Sequence, residues 1–116
     1  MKYLAVITTI GSRAEAQRMA CSLVERRLVA CAQISEIESF YRWDGAVRNE
    51  AEFRILFKTT TENYGAVAQA IRELHPYELP AVHAHAIERI DEPYAAWLQS
   101  HCDESGCDES HRDGTT

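Results

Sequence analysis

The chain has 116 residues, 46% hydrophobic and 26% charged, with five Gly and three Pro, which fits one globular domain and excludes collagenous, coiled-coil and wholly disordered classes. Its net charge of −6 is uneven, because five acids from Asp103 onward face only Arg112, leaving the tail at −4 and the body at −2. A nearly neutral body with an acidic tail repels phosphate, so no nucleic acid and no membrane is expected as a partner.

No apolar run approaches the roughly 20 residues of a membrane span, and Met1-Lys2 leads directly into Tyr3-Leu4-Ala5-Val6-Ile7 without a cleavage site. A cytoplasmic protein is expected. Cys21, Cys31, Cys102 and Cys107 are too few and too scattered for a disulfide scaffold, and read as free thiols or metal ligands.

Tyr3 to Ile10 is a continuous apolar and β-branched run, the pattern of a central strand buried on both faces. Ser12 with Glu15 then forms a capping box, and Ala16, Met19, Ala20, Leu23, Val24 and Leu28 recur at helical spacing, predicting a helix over about 13–27. From Val29 to Trp43 the apolar residues alternate, but they switch from even to odd positions near Ser35-Glu36, which predicts a β-bulge. Asp44-Gly45 signals a two-residue type I′ turn. On the return strand Val47, Ala51, Phe53, Ile55 and Phe57 share one face, while Arg48, Glu50, Glu52 and Arg54 on the other read as a cross-strand ion-pair row.

Thr59-Thr60-Thr61-Glu62 supplies several N-cap residues for a helix carrying Tyr64, Val67, Ala68, Ile71 and Leu74, stopped by His75-Pro76. Ala81 to Ile90 reads as a fourth strand, and Asp91 with Pro93 opens a short third helix. The order βαββαβ plus a terminal helix is the α+β ferredoxin-like arrangement, with two helices on one face of an antiparallel sheet and the other face open. Residues 1–102 form this domain, and residues 103–116, where Cys-Asp-Glu-Ser recurs, read as a disordered acidic tail.

Two strands of about 15 residues would each run roughly 50 Å, against roughly 17 to 20 Å for an ordinary strand. The hairpin therefore outruns its helices and leaves Phe40, Tyr41, Trp43 and Val47 in water. A closed homo-oligomer covers them most simply; a hairpin bent onto its own subunit is the alternative.

His83-Ala84-His85 places two imidazoles on one strand face, a spacing that chelates a transition metal if a third ligand arrives, or else leaves two partly exposed histidines. The segment His75-Pro76-Tyr77-Glu78-Leu79-Pro80 is a rigid polar connection, either a ligand loop or a helix stop and strand start. Cys31 reads as a core thiol at the start of a strand. The tail's Cys and His111 offer at most a loose hold on a soft metal. There is no nucleophile motif, phosphate-cradling glycine loop or Cys-x-x-Cys, and Gly11-Ser12-Arg13 is a thin match to an anion-binding loop, so no enzymatic turnover is expected.

Leu28-Val29-Ala30-Cys31-Ala32, Tyr41-Arg42-Trp43-Asp44-Gly45, Lys58-Thr59-Thr60, His75-Pro76-Tyr77-Glu78-Leu79-Pro80 and Tyr94-Ala95-Ala96-Trp97-Leu98, in this order, closely resemble the CutA family of divalent-cation tolerance proteins over about residues 3–101. The resemblance implies a homotrimer like the P-II proteins, with Tyr41, Trp43 and Trp97 at the trimer interface, and an association with copper or another divalent metal ion. It also marks Cys31, Lys58, Tyr77 and Glu78 as family-motif positions. Some members are described as binding copper through a Cys late in the first strand and a His-His pair before Pro-Tyr; here those positions hold Thr8, Leu74 and His75. The expected metal ligands are therefore His75, His83 and His85. The alternative function is a P-II-like regulatory or scaffold trimer binding a small ligand or partner at subunit clefts.

Overall fold

Strand β1 (Tyr3–Ile10) runs through the interior of a four-stranded antiparallel sheet in the computed structural model, which describes residues 2–103. Helix α1 (Arg13–Glu25) follows, then the hairpin of β2 (Cys31–Trp43) and β3 (Ala46–Thr60). A 3-10 turn (Thr61–Asn63) leads into α2 (Tyr64–Leu74), β4 (His83–Ala86) and α3 (Glu92–Ser100). The strand order β2-β3-β1-β4 is that of the ferredoxin-like fold, as the sequence pattern predicts.

Alternation along the strands decides which face is covered. Val6 and Ile10 of β1 lie opposite Phe57 and Phe53 of β3, and this face packs on Ala16, Met19 and Leu23 of α1 and Val67, Ala70 and Ile71 of α2. The opposite face carries Ala5 and Ile7 of β1, Leu56 and Lys58 of β3, Cys31 and Gln33 of β2, and His83 and His85 of β4. A smaller cluster of Tyr3, Ala30, Leu98 and Cys102 under α3 covers one end of it.

Helix α1 starts where Ser12 Oγ accepts the Glu15 N–H at 3.3 Å. It stops two residues before Arg27, whose φ of 60° is left-handed. The Leu28 N–H donates to Leu23 O and the Arg27 N–H to Val24 O, the two bonds of a Schellman ending with arginine where glycine is usual. Neither N-cap residue before α2, Thr60 of the 3-10 turn or Asn63 of the helix, makes a side-chain cap bond. Thr59 Oγ1 and Asn63 Nδ2 instead donate to the Leu28 carbonyl, at 2.7 and 3.1 Å, fastening the end of α1 to the start of α2.

Asp44 and Gly45 have φ of 58° and 79°, as a type I′ turn requires. The expected bulge is absent: pairing runs unbroken from Cys31 opposite Lys58 to Trp43 opposite Ala46. The parity switch instead records a change of covered face. Ala32 and Ile34 point at the helices, whereas Ile37, Tyr41 and Trp43 lie on the other face of the same regular strand. Every residue from 40 to 51 is exposed.

Strand β4 is four residues long, not the ten expected. Beyond Ala86 the chain leaves the ladder, the Ile87 N–H donating to Tyr3 O, and carries Ile87 and Ile90 to the cluster under α3. Asp103, the first residue of the segment read as tail, bonds Arg27 through both backbone and carboxylate; residues 104–116 lie outside the described residues, and so do Cys107 and His111.

Candidate functional site

The Pro76 ring ends α2 and leaves His75 as its extended C-cap, turned under the chain. His75 is buried and spends both ring nitrogens: Nδ1 accepts the Tyr77 N–H at 3.1 Å, and Nε2 lies 2.7 Å from Thr9 O. Nδ1 as acceptor places the proton on Nε2, which donates to the carbonyl. His75 thereby pins the 75–80 loop to the end of β1.

That pinning aims Tyr77 across the sheet. Its hydroxyl donates to Glu52 Oε2 at 2.9 Å, and Ser39 Oγ donates to Oε1 at 2.8 Å. Glu52 is only 8% exposed. A Cβ at Gly11 would stand 3.0 Å from the Tyr77 hydroxyl, so glycine leaves room for this crossing. Desolvation, and then the bond to the Glu52 carboxylate, push the Tyr77 pKa up to about 12. Farther out, Tyr41 donates to Glu50 Oε1 at 2.8 Å, which raises its pKa.

The ion-pair row expected on β3 is therefore a row of hydroxyl-bound carboxylates. The two-residue turn fixes the register, which brings Ser39 diagonally beside Glu52 and Tyr41 beside Glu50. Tyr77 reaches Glu52 only through the tertiary fold, and no local pattern announces it. Glu78, next in the loop, is exposed.

A second cluster sits beneath α3. Cys31 is half-buried on the face away from the main core, 4.0 Å from the Tyr94 hydroxyl, which corrects its expected place as a core thiol. Lys58, opposite Cys31 in the ladder, donates to the same hydroxyl at 3.4 Å and lies over the Tyr94 ring. Trp97 stacks between Tyr94 and His101, at 5.7 and 4.6 Å, and stays 40% exposed. Arg13, the cation of the thin anion-loop match, lies over the Phe53 ring and 3.5 Å from Glu36.

His83 and His85 are exposed neighbours on edge strand β4, their ring centroids 5.1 Å apart at 86°. His75 does not join them, and no group of three or more His, Cys, Asp or Glu suited to a metal ion occurs among the described residues. The Thr8, Leu74 and His75 set does not fit a soft metal either. Thr8 is fully buried with an unpaired hydroxyl, Leu74 has no donor, and His75 has no free nitrogen.

The family of CutA1 divalent ion tolerance proteins matches residues 4–101, from the second residue of β1 through the end of α3. The chain belongs to the CutA family. The divalent-cation tolerance protein CutA of Thermus thermophilus is 37% identical over 95 residues, 81% of this chain and 92% of that protein. CutA from Synechococcus elongatus superposes with a TM-score of 0.86 at 36% identity, covering 88% of this chain and 91% of the other. The family member from Archaeoglobus fulgidus, described as periplasmic, superposes at 0.85 with 31% identity over 87% of this chain and 99% of its own. No helix among the described residues is long and apolar enough to cross a membrane.

Proposed function

We propose that this chain acts in divalent-cation tolerance as a homotrimer that binds copper or another divalent metal ion in the cytoplasm. Membership of a family named for divalent ion tolerance carries the functional half. The assembly half is supported by the distal hairpin, where Phe40, Trp43 and Val47 are 67%, 60% and 64% exposed on strands of 13 and 15 residues. Single apolar side chains on a surface are ordinary; this many along one ribbon fit a partner, and a second copy extends no open filament if the ring closes. The family description names tolerance and no reaction, so the reading includes no turnover.

Growth in rising Cu2+ and Zn2+ tests it: cells lacking the chain stop at lower ion concentrations than cells carrying it, and equal growth overturns the reading. Cell fractionation checks the compartment, since the Archaeoglobus relative is described as periplasmic. A second reading, a P-II-like regulator taking a small ligand or partner at subunit clefts, is favoured by the buried Glu52 and its two hydroxyl donors beside the 75–80 loop. Calorimetry with anionic metabolites against metal ions separates the two.

A further inference from the structure

We infer that the segment beyond Asp103 docks along the outer face of α1, where Cys107 forms a redox-dependent disulfide with Cys21. The inference stands apart from the divalent-ion reading above.

The start of this segment is fixed in space. The Asp103 N–H donates to Arg27 O at 2.8 Å and its carboxylate accepts from Arg27 Nε at 2.9 Å, so the chain leaves the fold at the C-terminal end of α1. Cys107 stands four residues further on, a span of up to about 14 Å when extended. Cys21 lies six positions before Arg27, about 9 Å back along the helix axis at about 1.5 Å per residue. A disulfide itself bridges about 4.4–6.8 Å between Cα atoms, so the tether reaches with slack.

Among the described thiols only Cys21 is open to this approach. Cys102 is buried, and Cys31 is half-buried on the opposite side of the sheet beside Tyr94. Cys21 is exposed and lines a groove of about 400 Å³ between α1 and Leu74 of α2. That groove lies on the helix side of the sheet, away from the face that carries Tyr41 and Trp43, so the proposed trimer leaves it accessible.

Charge sets the direction of docking. A chain entering from the Arg27 end runs antiparallel to α1, which brings Asp108 and Glu109, just after Cys107, to Arg18, one helical turn before Cys21. Arg18 is exposed in the same groove and makes no ion pair among the described residues. Arg112 then comes toward Glu15, which also lines the groove. The opposite direction would set the two tail acids against Glu25.

Glutathione disulfide is the oxidant. One cysteine thiolate attacks it, the S–S bond breaks and a glutathione thiolate leaves; the second cysteine thiolate then attacks the protein sulfur of the mixed disulfide and expels the other glutathione. Two protein thiols lose two protons and two electrons, and glutathione disulfide becomes two glutathiones. The short tether holds the second thiol at about millimolar effective concentration, so closure within one chain outruns capture by another chain at micromolar protein. In a reducing compartment the bond forms only when glutathione disulfide rises, which makes the segment a redox latch over the helices.

The test equilibrates the reduced full-length chain with glutathione buffers of rising disulfide content, in chelator to keep metal ions off the thiols. Acid-quenched protein is digested without reduction by trypsin and a glutamate-specific protease, which separates Cys102 from Cys107 at Glu104, and linked peptides are read by mass spectrometry. The Cys21–Cys107 peptide is expected to be the main linked species, and to vanish in Cys21→Ser and Cys107→Ser while persisting in Cys102→Ser. Arg18→Glu should need about threefold more glutathione disulfide for half-oxidation, the scale of a surface ion pair. Separate glutathione adducts without a link, a Cys102–Cys107 link, Cys21–Cys21 links between chains, or a chain that stays reduced would each overturn the latch. An unchanged midpoint for Arg18→Glu would overturn the docking along α1. None of these results bears on the divalent-ion reading.

Discussion

Tyr77 and Glu52, 25 residues apart in sequence, share a 2.9 Å hydrogen bond that joins the loop after α2 to the hairpin. The carboxylate is buried and its other oxygen is held by Ser39, so removing the phenol leaves one oxygen desolvated without a donor. Tyr77→Phe should lower stability by about 1–2 kcal/mol in urea unfolding. The loss should shrink in a Glu52→Gln background, since the two residues act through one bond. A full-sized loss in that background means that the phenol stabilises the fold in some other way.

The same bond sets an alkaline limit. Tyr77 has its folded pKa raised to about 12 from an unfolded value of 10.0, so its contribution is fully present below pH 10 and is lost as pH rises through 12. Thermal scans between pH 9 and 12 should show a decline that Tyr77→Phe softens. Tyr41 shifts in the same direction, so part of the decline persists in the variant. An identical decline in both proteins would remove Tyr77 from the account.

Arg27 combines a backbone liability with a useful side chain. Its left-handed φ of 60° suits glycine, while its guanidinium bonds the Asp103 carboxylate at 2.9 Å and Ser100 O at 2.7 Å. Arg27→Ala loses the bonds and keeps the strain, whereas Arg27→Gly loses the bonds and relieves it. The glycine variant should be the more stable of the two by about 1 kcal/mol. Denaturant midpoints decide, and the reverse order would mean the Schellman ending is not what stops α1.

Cysteine reactivity should follow burial. Burial pushes the Cys102 thiol up, and Cys21 on α1 is exposed. Thiolate is the nucleophile, so iodoacetamide at pH 8 should modify Cys21 at least tenfold faster, on an order-of-magnitude view. Peptide mapping over time reads this directly. Equal rates would place Cys102 outside the cluster beneath α3.

The fold was legible because its signals are local. Ser12, Asp44-Gly45 and His75-Pro76 mark boundaries through backbone chemistry that needs no distant partner, and the alternation along β1 and β3 separates the covered face from the other. Local pattern misled where coverage rather than geometry set the composition. The apolar switch in β2 reads as a bulge until the regular ladder shows that Ile37, Tyr41 and Trp43 belong to a face beyond the helices. For the site, the His83/His85 pairing was visible in the alternation, but the engagement of His75 by Thr9 and the burial of Glu52 by Tyr77 depend on tertiary approach.

Trp43 offers the sharpest test of assembly. It is 60% exposed in the single chain, at the last paired position before the turn, far from the core around Phe57 and Met19. In a monomer, trimming such a side chain changes stability by no more than about 0.5 kcal/mol. In a closed trimer it lies against another copy, its burial is worth roughly 1.5–3 kcal/mol, and the loss occurs three times per ring. Trp43→Ala should therefore lower the thermal midpoint markedly and make it depend on protein concentration, as dissociation becomes coupled to unfolding. Sedimentation equilibrium should give three chain masses for the unsubstituted protein and a concentration-dependent average for the variant. A constant single-chain mass for the unsubstituted protein, with Trp43→Ala indifferent, would sink the trimer and return the hairpin to solvent.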